Sequence, residues 1–220
     1  MRHFASSTSR IEYGARRTRR TTTLGCAAVS HMTRRYLVVA VAWLAAISST
    51  RAQEPEFQVS APPAGYSWVF IPGTSTALLR PDSWFLKTEV ANDTIAGFIT
   101  LENLQERGEF KTGLTFNFVR GISRKSGTSA IRYALAFINE AAKTKEVLLE
   151  PWGNELAPDL LGVGIRYREV TGDTPVIIQN YLIADDAGDN VRFFIFESPE
   201  SEWDAMWKFG ETMMKGQIAQ

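Results

Sequence analysis

Residues 113–119, GLTFNFV, alternate in the manner of a half-buried β-strand, with Leu114, Phe116 and Phe118 on one face and polar residues on the other. Short runs rich in β-branched and aromatic residues lie on both sides of this stretch. Pro, Gly, Asp or Asn separates them, as in strands that are joined by turns. The pattern predicts strands at 67–71, 76–80, 84–90, 94–104, 112–120, 162–170, 175–185 and 190–198.

Two further segments, 128–145 and 198–218, carry apolar residues at the three- and four-residue spacing of amphipathic helices. In the second segment Ser198 is a suitable N-cap and Pro199 a favoured first helical residue. Its predicted apolar stripe consists of Trp203, Met206, Trp207, Gly210, Met213 or Met214, and Gln217 or Ile218. We expect this stripe to pack on the sheet and not on a membrane, because the first turn is acidic.

The predicted order is five strands, a helix, three strands and a terminal helix. Residues 185–190, DDAGDN, have the composition of a hairpin turn, and residues 150–159, EPWGNELAPD, are predicted to form a loop. Strands joined by hairpins form an antiparallel sheet, against which both helices must bury their apolar stripes. The sequence therefore predicts an α+β fold, an antiparallel β-sheet flanked by helices in an α/β/α sandwich.

Residues 32–52 have the features of a secretory signal peptide. Arg34 and Arg35 precede a twelve-residue apolar run, and small residues lead to Ala52. A membrane-spanning helix needs about 20 apolar residues, so this run is too short to serve as one. We expect cleavage after Ala52 and export to the periplasm or the extracellular space, with the thylakoid lumen as an alternative.

Residues 1–31 contain six arginines, one acid and nine serines or threonines. This composition is typical of an organellar transit peptide; alternatively Met32 is the true start and the preceding residues are leader. Residues 53–65 are rich in Pro and polar residues and predict a flexible lead. The folded domain is therefore assigned to residues 66–220.

Signal cleavage would remove both histidines and the only cysteine, which are His3, His31 and Cys26. The remaining chain could not use Ser-His-Asp or Cys-His catalysis, or a zinc site of the usual nitrogen and sulfur type. Residues 53–220 carry 15 basic and 23 acidic side chains, a net charge of −8. Such a balance argues against nucleic acids and anionic membrane surfaces as partners. We expect a protein that is not an enzyme, has no cofactor and is not stably inserted in a membrane after cleavage.

Two surfaces are candidates for recognition. The predicted loop at 150–159 contains Trp152 and Asn154, and loops on a rigid sheet often carry binding residues; Trp152 could equally fold back as a lid on the core. Arg166 and Arg168 lie on one face of a predicted strand and could orient an acidic group, although surface charge is the simpler role.

Asp185, Asp186 and Asp189 in the predicted hairpin turn could hold a calcium ion through their oxygens. The segment lacks the twelve-residue loop and the final Glu of an EF-hand, so a plain turn is favoured and no metal is expected.

Three segments resemble the photosystem II oxygen-evolving-enhancer (PsbP-type) domain family. They are LLRPDSWF (78–85), GEFKTGLTFNFV (108–119) and FFIFESPESEWDAMWKFGETMMKGQI (193–218), within a similarity that covers roughly residues 60–218. The resemblance implies an antiparallel sheet flanked by helices. It also implies an exported protein that helps to assemble or stabilise a complex and is not an enzyme.

Two functions follow as hypotheses. The first is an exported module that binds or stabilises a protein partner or an assembly, with a lumenal accessory protein of photosystem II as a variant. The second is a periplasmic carrier of small apolar ligands, with a pocket between sheet and helix. The residues expected to line that pocket are Trp84, Phe116, Phe118, Trp203 and Trp207.

Overall fold

The structure is a computed structural model that describes residues 59–171 and 173–219. The predicted leader, the signal peptide, its cleavage site and the first part of the predicted flexible lead lie outside these residues.

The described residues form ten strands and four helices. The strands are β1 (Tyr66–Ile71), β2 (Thr76–Pro81), β3 (Phe85–Ala91), β4 (Thr94–Thr100), β5 (Gly113–Arg120), β6 (Glu146–Ala157), β7 (Leu160–Thr171), β8 (Thr174–Asp185), β9 (Asn190–Pro199) and β10 (Ile218–Ala219). The helices are α1 (Leu104–Arg107), α2 (Ile122–Ser126), α3 (Ala130–Thr144) and α4 (Trp203–Lys215). A short 3-10 turn at Glu200–Glu202 precedes α4.

Seven strands form one antiparallel sheet in the order β3-β4-β5-β9-β8-β7-β6, and β1, β2 and β10 form a second antiparallel sheet. The hairpin turn predicted at 185–190 is confirmed, because Asp185 pairs with Asn190 across the β8–β9 ladder. The predicted α+β class with an antiparallel sheet flanked by helices is likewise confirmed.

Alternation along the strands gives the seven-stranded sheet two apolar faces. On the α4 face, Phe194 and Phe196 of β9 lie in one buried cluster with Trp203 and Met213 of α4. On the α3 face, Phe193 packs in a second cluster with residues of α3. Leu114, Phe116 and Phe118, which the alternation of residues 113–119 predicts to be buried, all lie in the α4-face cluster. Helices thus pack on both faces of the sheet.

The predicted loop at 150–159 is wrong, because residues 146–157 form strand β6 and only residues 158–159 lie in a turn. β6 is an edge strand whose pairing with β7 is broken by three register shifts. Irregular pairing and exposure along most of the strand remove the two-residue alternation on which a strand prediction depends. Trp152 therefore lies on a strand and not in a loop.

Three element boundaries also differ from the predictions. Helix α4 begins at Trp203, because β9 continues through Ser198 and Pro199 and the 3-10 turn follows it. Strand β4 ends at Thr100, since Asn103 accepts a hydrogen bond from the backbone of Gln105 and starts α1. Helix α3 begins after its N-cap Ser129, two residues later than the predicted start.

Candidate functional site

A cleft of about 800 Å³ lies on the α4 face, between α4 and strands β6, β7 and β8. Helix α4 packs chiefly on β9, β5 and β2, and the cleft lies beside it over the β6–β8 end of the sheet. Its apolar lining consists of Leu149, Trp152, Leu156, Leu160, Tyr181, Ile183, Trp207 and Met214. Its polar lining consists of Arg166, Gln179, Asp185, Arg192, Glu211, Lys215 and Gln217.

Two glycines of β7 shape the floor of the cleft. A Cβ atom on Gly164 would lie 2.5 Å from Cζ2 of Trp152, and one on Gly162 would lie 2.6 Å from the hydroxyl of Tyr181. Carbon atoms pack comfortably at about 3.5–4.0 Å, so neither position has room for a side chain while these rings keep their places. The GVG segment at 162–164 is thus what allows two aromatic rings to lie flat against the sheet.

One row of aromatic side chains crosses the sheet from the cleft to the core. The ring centroids of Trp152 and Tyr181 lie 5.3 Å apart in a stacked arrangement, and Tyr181 lies 6.0 Å from Phe194. Phe194 in turn lies 5.2 Å from Phe116. Trp152 at the edge is 37% exposed, whereas Phe194 and Phe116 are fully buried. The row connects the outer wall of the cleft rigidly to the core.

Arg166 forms part of the opposite wall. Its Nε donates a 3.0 Å hydrogen bond to Oε1 of Gln179, and its guanidinium carbon lies 4.4 Å from the ring centre of Trp207 and 5.0 Å from that of Trp203. The two indoles are themselves stacked, with centroids 5.2 Å apart. Burial lowers the pKa of Arg166 below its ordinary value, although Glu211 opposes this shift. The guanidinium is therefore held flat and keeps its charge.

Arg192 of β9 is the most deeply buried cation of the cleft, with 7% of its surface exposed. Its Nε has no hydrogen-bond partner among the described residues. The guanidinium carbon lies 5.3 Å from the ring centre of Phe118. Burial lowers the pKa of Arg192, and the nearby carboxylate of Asp185 only partly offsets this effect. Asp185 itself accepts hydrogen bonds from the backbone of Gly188 and the side chain of Asn190.

The structure brings together four of the residues singled out in the sequence, since Trp152, Arg166, Asp185 and Trp207 all line the cleft. Arg168 lies outside the cleft and is ion-paired with Glu146 at 3.2 Å and Glu200 at 2.9 Å. Asn154 is exposed on β6 and is not part of the cleft lining.

The other four residues of the predicted apolar pocket lie in the α4-face core. Trp84, Phe116, Phe118 and Trp203 are at most 6% exposed, and they support the cleft from behind.

Sequence reasoning missed Tyr181, Gln179 and Arg192. A signal for the last two was present, because each is a polar residue within a strand whose neighbours are mostly apolar. Such residues sit at inward-facing positions only when the fold gives them a partner or a cavity. Reading their side-chain direction from the strand period would have placed both on one face of the sheet.

The three carboxylates considered for calcium instead stabilise the hairpin and the starts of helices. Asp189 accepts hydrogen bonds of 2.7 Å from the backbone N–H and 2.8 Å from the hydroxyl of Ser123, at the start of α2. Asp186 accepts a 2.8 Å bond from the backbone of Ile131, at the start of α3. Within residues 59–171 and 173–219, no group of three or more Asp, Glu, His or Cys side chains is arranged to hold a metal ion.

No helix in the described part of the chain has both the length and the apolar character that crossing a membrane requires.

No family model and no curated protein matches this chain. Among solved structures, it is similar to the solution structure of cyanobacterial PsbP (CyanoP) from Synechocystis sp. PCC 6803, at 14% identity and a TM-score of 0.45. That similarity covers 73% of this chain and 98% of the other. It is also similar to PA94, a protein of unknown function from Pseudomonas aeruginosa, at 11% identity and a TM-score of 0.41, over 70% of this chain and 97% of that one. At these values neither structure assigns an activity to this chain.

Proposed function

We propose that this chain is a non-catalytic binding module that holds a small, largely apolar molecule in the cleft on the α4 face. The observation that carries this proposal is a cleft of about 800 Å³ lined by eight apolar side chains, six of them leucine or aromatic, beside seven polar ones. Ligand pockets in proteins typically enclose about 300–1,000 Å³ and combine apolar walls with a few polar groups. A binding role also agrees with the lack of histidine and cysteine in residues 53–220.

Two neighbouring leucines on β6 provide a matched test. Leu148 and Leu149 are both 45% exposed, but only Leu149 lines the cleft. We expect Leu149→Asp to weaken binding of the neutral apolar dye N-phenyl-1-naphthylamine by about tenfold or more, since a charge in an apolar wall must lose hydration when the ligand enters. Leu148→Asp should leave the affinity unchanged. Dye titration followed by fluorescence measures both affinities.

The ligand proposal fails if the wild-type protein does not bind the dye, or if both aspartate variants bind it as well as the wild type. An independent test is native mass spectrometry of the protein purified from its own host. We expect an added mass from a bound small molecule, and a consistently ligand-free protein would count against a carrier.

A second candidate function is recognition of a protein partner along β6. This edge strand exposes Leu148, Leu149, Trp152 and Leu156 at 37–45%, and an unpaired strand edge can pair with another chain. The variant Leu148→Asp distinguishes the two candidate functions. It should weaken binding of a protein partner that covers β6, whereas it should not affect a ligand in the cleft, which Leu148 does not line. The measurement is a pull-down from the exported fraction with each variant as bait.

Export itself is part of the proposal, to the periplasm or the extracellular space, with the thylakoid lumen and a photosystem II accessory role as the alternative. Amino-terminal sequencing of the protein from its host should give a start at Gln53. A start within residues 1–31 would contradict removal of the signal segment.

A further inference from the structure

We propose that the ligand of the cleft is an amphipathic acid, whose anionic head group pairs with Arg192 and whose apolar body extends toward β6. This inference rests on the proposed ligand-binding function and adds the chemical class of the ligand. The preferred head group is a carboxylate, because a guanidinium can hold both of its oxygens at once.

Arg192 is buried without an anionic partner. A charged side chain that is more than nine-tenths buried is normally paired, because removing a charge from water is costly. Arg192 is 7% exposed and forms no ion pair with any carboxylate of residues 59–171 and 173–219. Its Nε is unpartnered, and the face of Phe118 is a weak substitute for an anion. A cation in this state is suited to a partner that arrives with the ligand.

Three other basic residues of the fold are paired although they are less buried than Arg192. Arg168 has two carboxylates within 3.2 Å, and Lys145 lies 2.7 Å from Glu169. Lys215, which also lines the cleft, lies 2.8 Å from Glu211. All three side chains are more exposed than that of Arg192 and so have less need of a partner. Of the three cations that line the cleft, Lys215 is paired with Glu211 and Arg166 donates to Gln179, whereas Arg192, the deepest, has neither an ion pair nor a hydrogen bond to its Nε.

A row of paired residues leads from Arg192 across the sheet to β6. Arg192 pairs in register with Ile183 of β8, Ile183 pairs with Gly162 of β7, and Gly162 pairs with Asn154 of β6. Gly162 has no side chain of its own, and the Tyr181 ring reaches over it from the next row, since a Cβ atom at Gly162 would lie 2.6 Å from the Tyr181 hydroxyl. The apolar body of the ligand would therefore run along the Tyr181 ring on its way to β6. Three strand spacings of about 4.8 Å separate β9 from β6, or roughly 14 Å. An unbranched apolar chain of about ten carbons spans such a distance.

Asp185 sets the selectivity of this arrangement. Its carboxylate also lines the cleft, but Gly188 and Asn190 already donate hydrogen bonds to its two oxygens. Because these donors hold Asp185 in place, it offsets part of the charge of Arg192 without forming a direct ion pair. A head group with one negative charge therefore fits the site better than one with two.

The test compares decanoate with 1-decanol, which share an apolar chain and differ in head-group charge. Each displaces N-phenyl-1-naphthylamine from wild-type protein, from Arg192→Met and from the control Lys208→Met. We expect the wild type to bind decanoate about tenfold or more tightly than decanol, as for a charge-assisted pair. Arg192→Met should lose this preference but retain its affinity for decanol. Lys208→Met should keep the preference, because that lysine is exposed on α4 and lies outside the cleft lining.

The results distinguish the preference for an acid from the binding of an apolar ligand as such. If decanol binds the wild type as tightly as decanoate, or if Arg192→Met keeps the preference, the inference about the acid is overturned while the apolar cleft stands. If neither compound nor the dye binds, the proposed function itself fails. Should Arg192→Met not fold, as judged by circular dichroism, the wild-type comparison still decides. Arg192→Lys, which retains a charge but not the planar fork, should then show a reduced preference.

Discussion

Replacing Gly164 by alanine tests whether the lack of a side chain at this position is what allows the Trp152 ring to pack on β7. The added methyl would lie 2.5 Å and 2.7 Å from two carbon atoms of the indole and 3.0 Å from the backbone oxygen of Asn180. Since carbon atoms pack at about 3.5–4.0 Å, the indole must move by about 1 Å or more. Trp152 is 37% exposed and can move outward, away from Tyr181.

The cost has two parts. The Trp152–Tyr181 stack, with centroids 5.3 Å apart and ring planes 19° apart, is worth about 0.5–1.5 kcal/mol beyond its buried area. Overpacking costs about 1–3 kcal/mol where the neighbours cannot yield, and the outward movement of the ring relieves some of it. We expect Gly164→Ala to lower the free energy of unfolding by about 1–3 kcal/mol, and the dye affinity of the cleft should fall with it.

Urea unfolding followed by circular dichroism measures this change in four proteins: wild type, Gly164→Ala, Trp152→Ala and the double variant. If the methyl collides with the indole, Gly164→Ala should cost about 1 kcal/mol less in the Trp152→Ala background, a coupling typical of residues in contact. Gly153→Ala is a control, because its methyl would meet Val163 at 3.2 Å and the backbone oxygen of Gly162 at 3.3 Å, and successive residues of a strand point to opposite faces, so it would not lie on the face that Trp152 occupies.

An equal cost of Gly164→Ala in both backgrounds would refute the reasoning. The strain would then come from the backbone oxygen of Asn180, and Gly164 would have no role in placing the wall of the cleft. A red shift of the tryptophan emission in Gly164→Ala, absent from Gly153→Ala, would independently report the outward movement of the indole.

Three further changes test the fold around the cleft. Glu197→Gln should raise the midpoint of thermal unfolding at pH 7. Burial, with Glu169 as a smaller cause, raises the pKa of Glu197 in the folded protein, so ionisation of this carboxyl weakens the fold at pH values above the pKa of an unfolded Glu. Below that pKa the substitution should have no effect. Asp189→Asn should destabilise the protein at pH 7, because the hydrogen bonds from Ser123 favour the ionised carboxylate and lower its pKa. The loss should become smaller as the pH falls through this pKa, and urea unfolding at pH 7 and pH 3 measures the difference. Met213→Ala, at a fully buried position of α4, should cost about 2–5 kcal/mol in urea unfolding, and a cost under about 1 kcal/mol would show that α4 does not close the core.

The regular strands were predictable because their alternation directly reflects burial. Residues 113–120 place Leu114, Phe116 and Phe118 on one covered face, so the sequence pattern and the structure agree. The hairpin at 185–190 was predictable from composition, because Asp, Gly and Asn suit tight turns.

Strand β6 and the cleft were not predictable for a related reason. Alternation appears only where one face is covered and the other meets water, and β6 is exposed along most of its length. Trp152 and Arg166 were singled out in the sequence as separate surface features. What brings them into one cleft is the strand order, which places β6 beside β7.

The cleft follows from how much of the sheet one helix can cover. Helix α4 has 13 residues, so it is about 20 Å long and about 10 Å wide, and it lies across β9 and β5. Strands β6, β7 and β8 extend roughly a further 14 Å beyond β9, at about 4.8 Å per strand. If this end of the face were only a solvated surface, polar side chains would be expected there. The chain instead places Leu149, Trp152 and Tyr181 on it and directs the unpaired Arg192 toward the same space. Apolar walls beside an unpaired buried cation are costly in water and are favourable once an amphipathic acid fills the cleft.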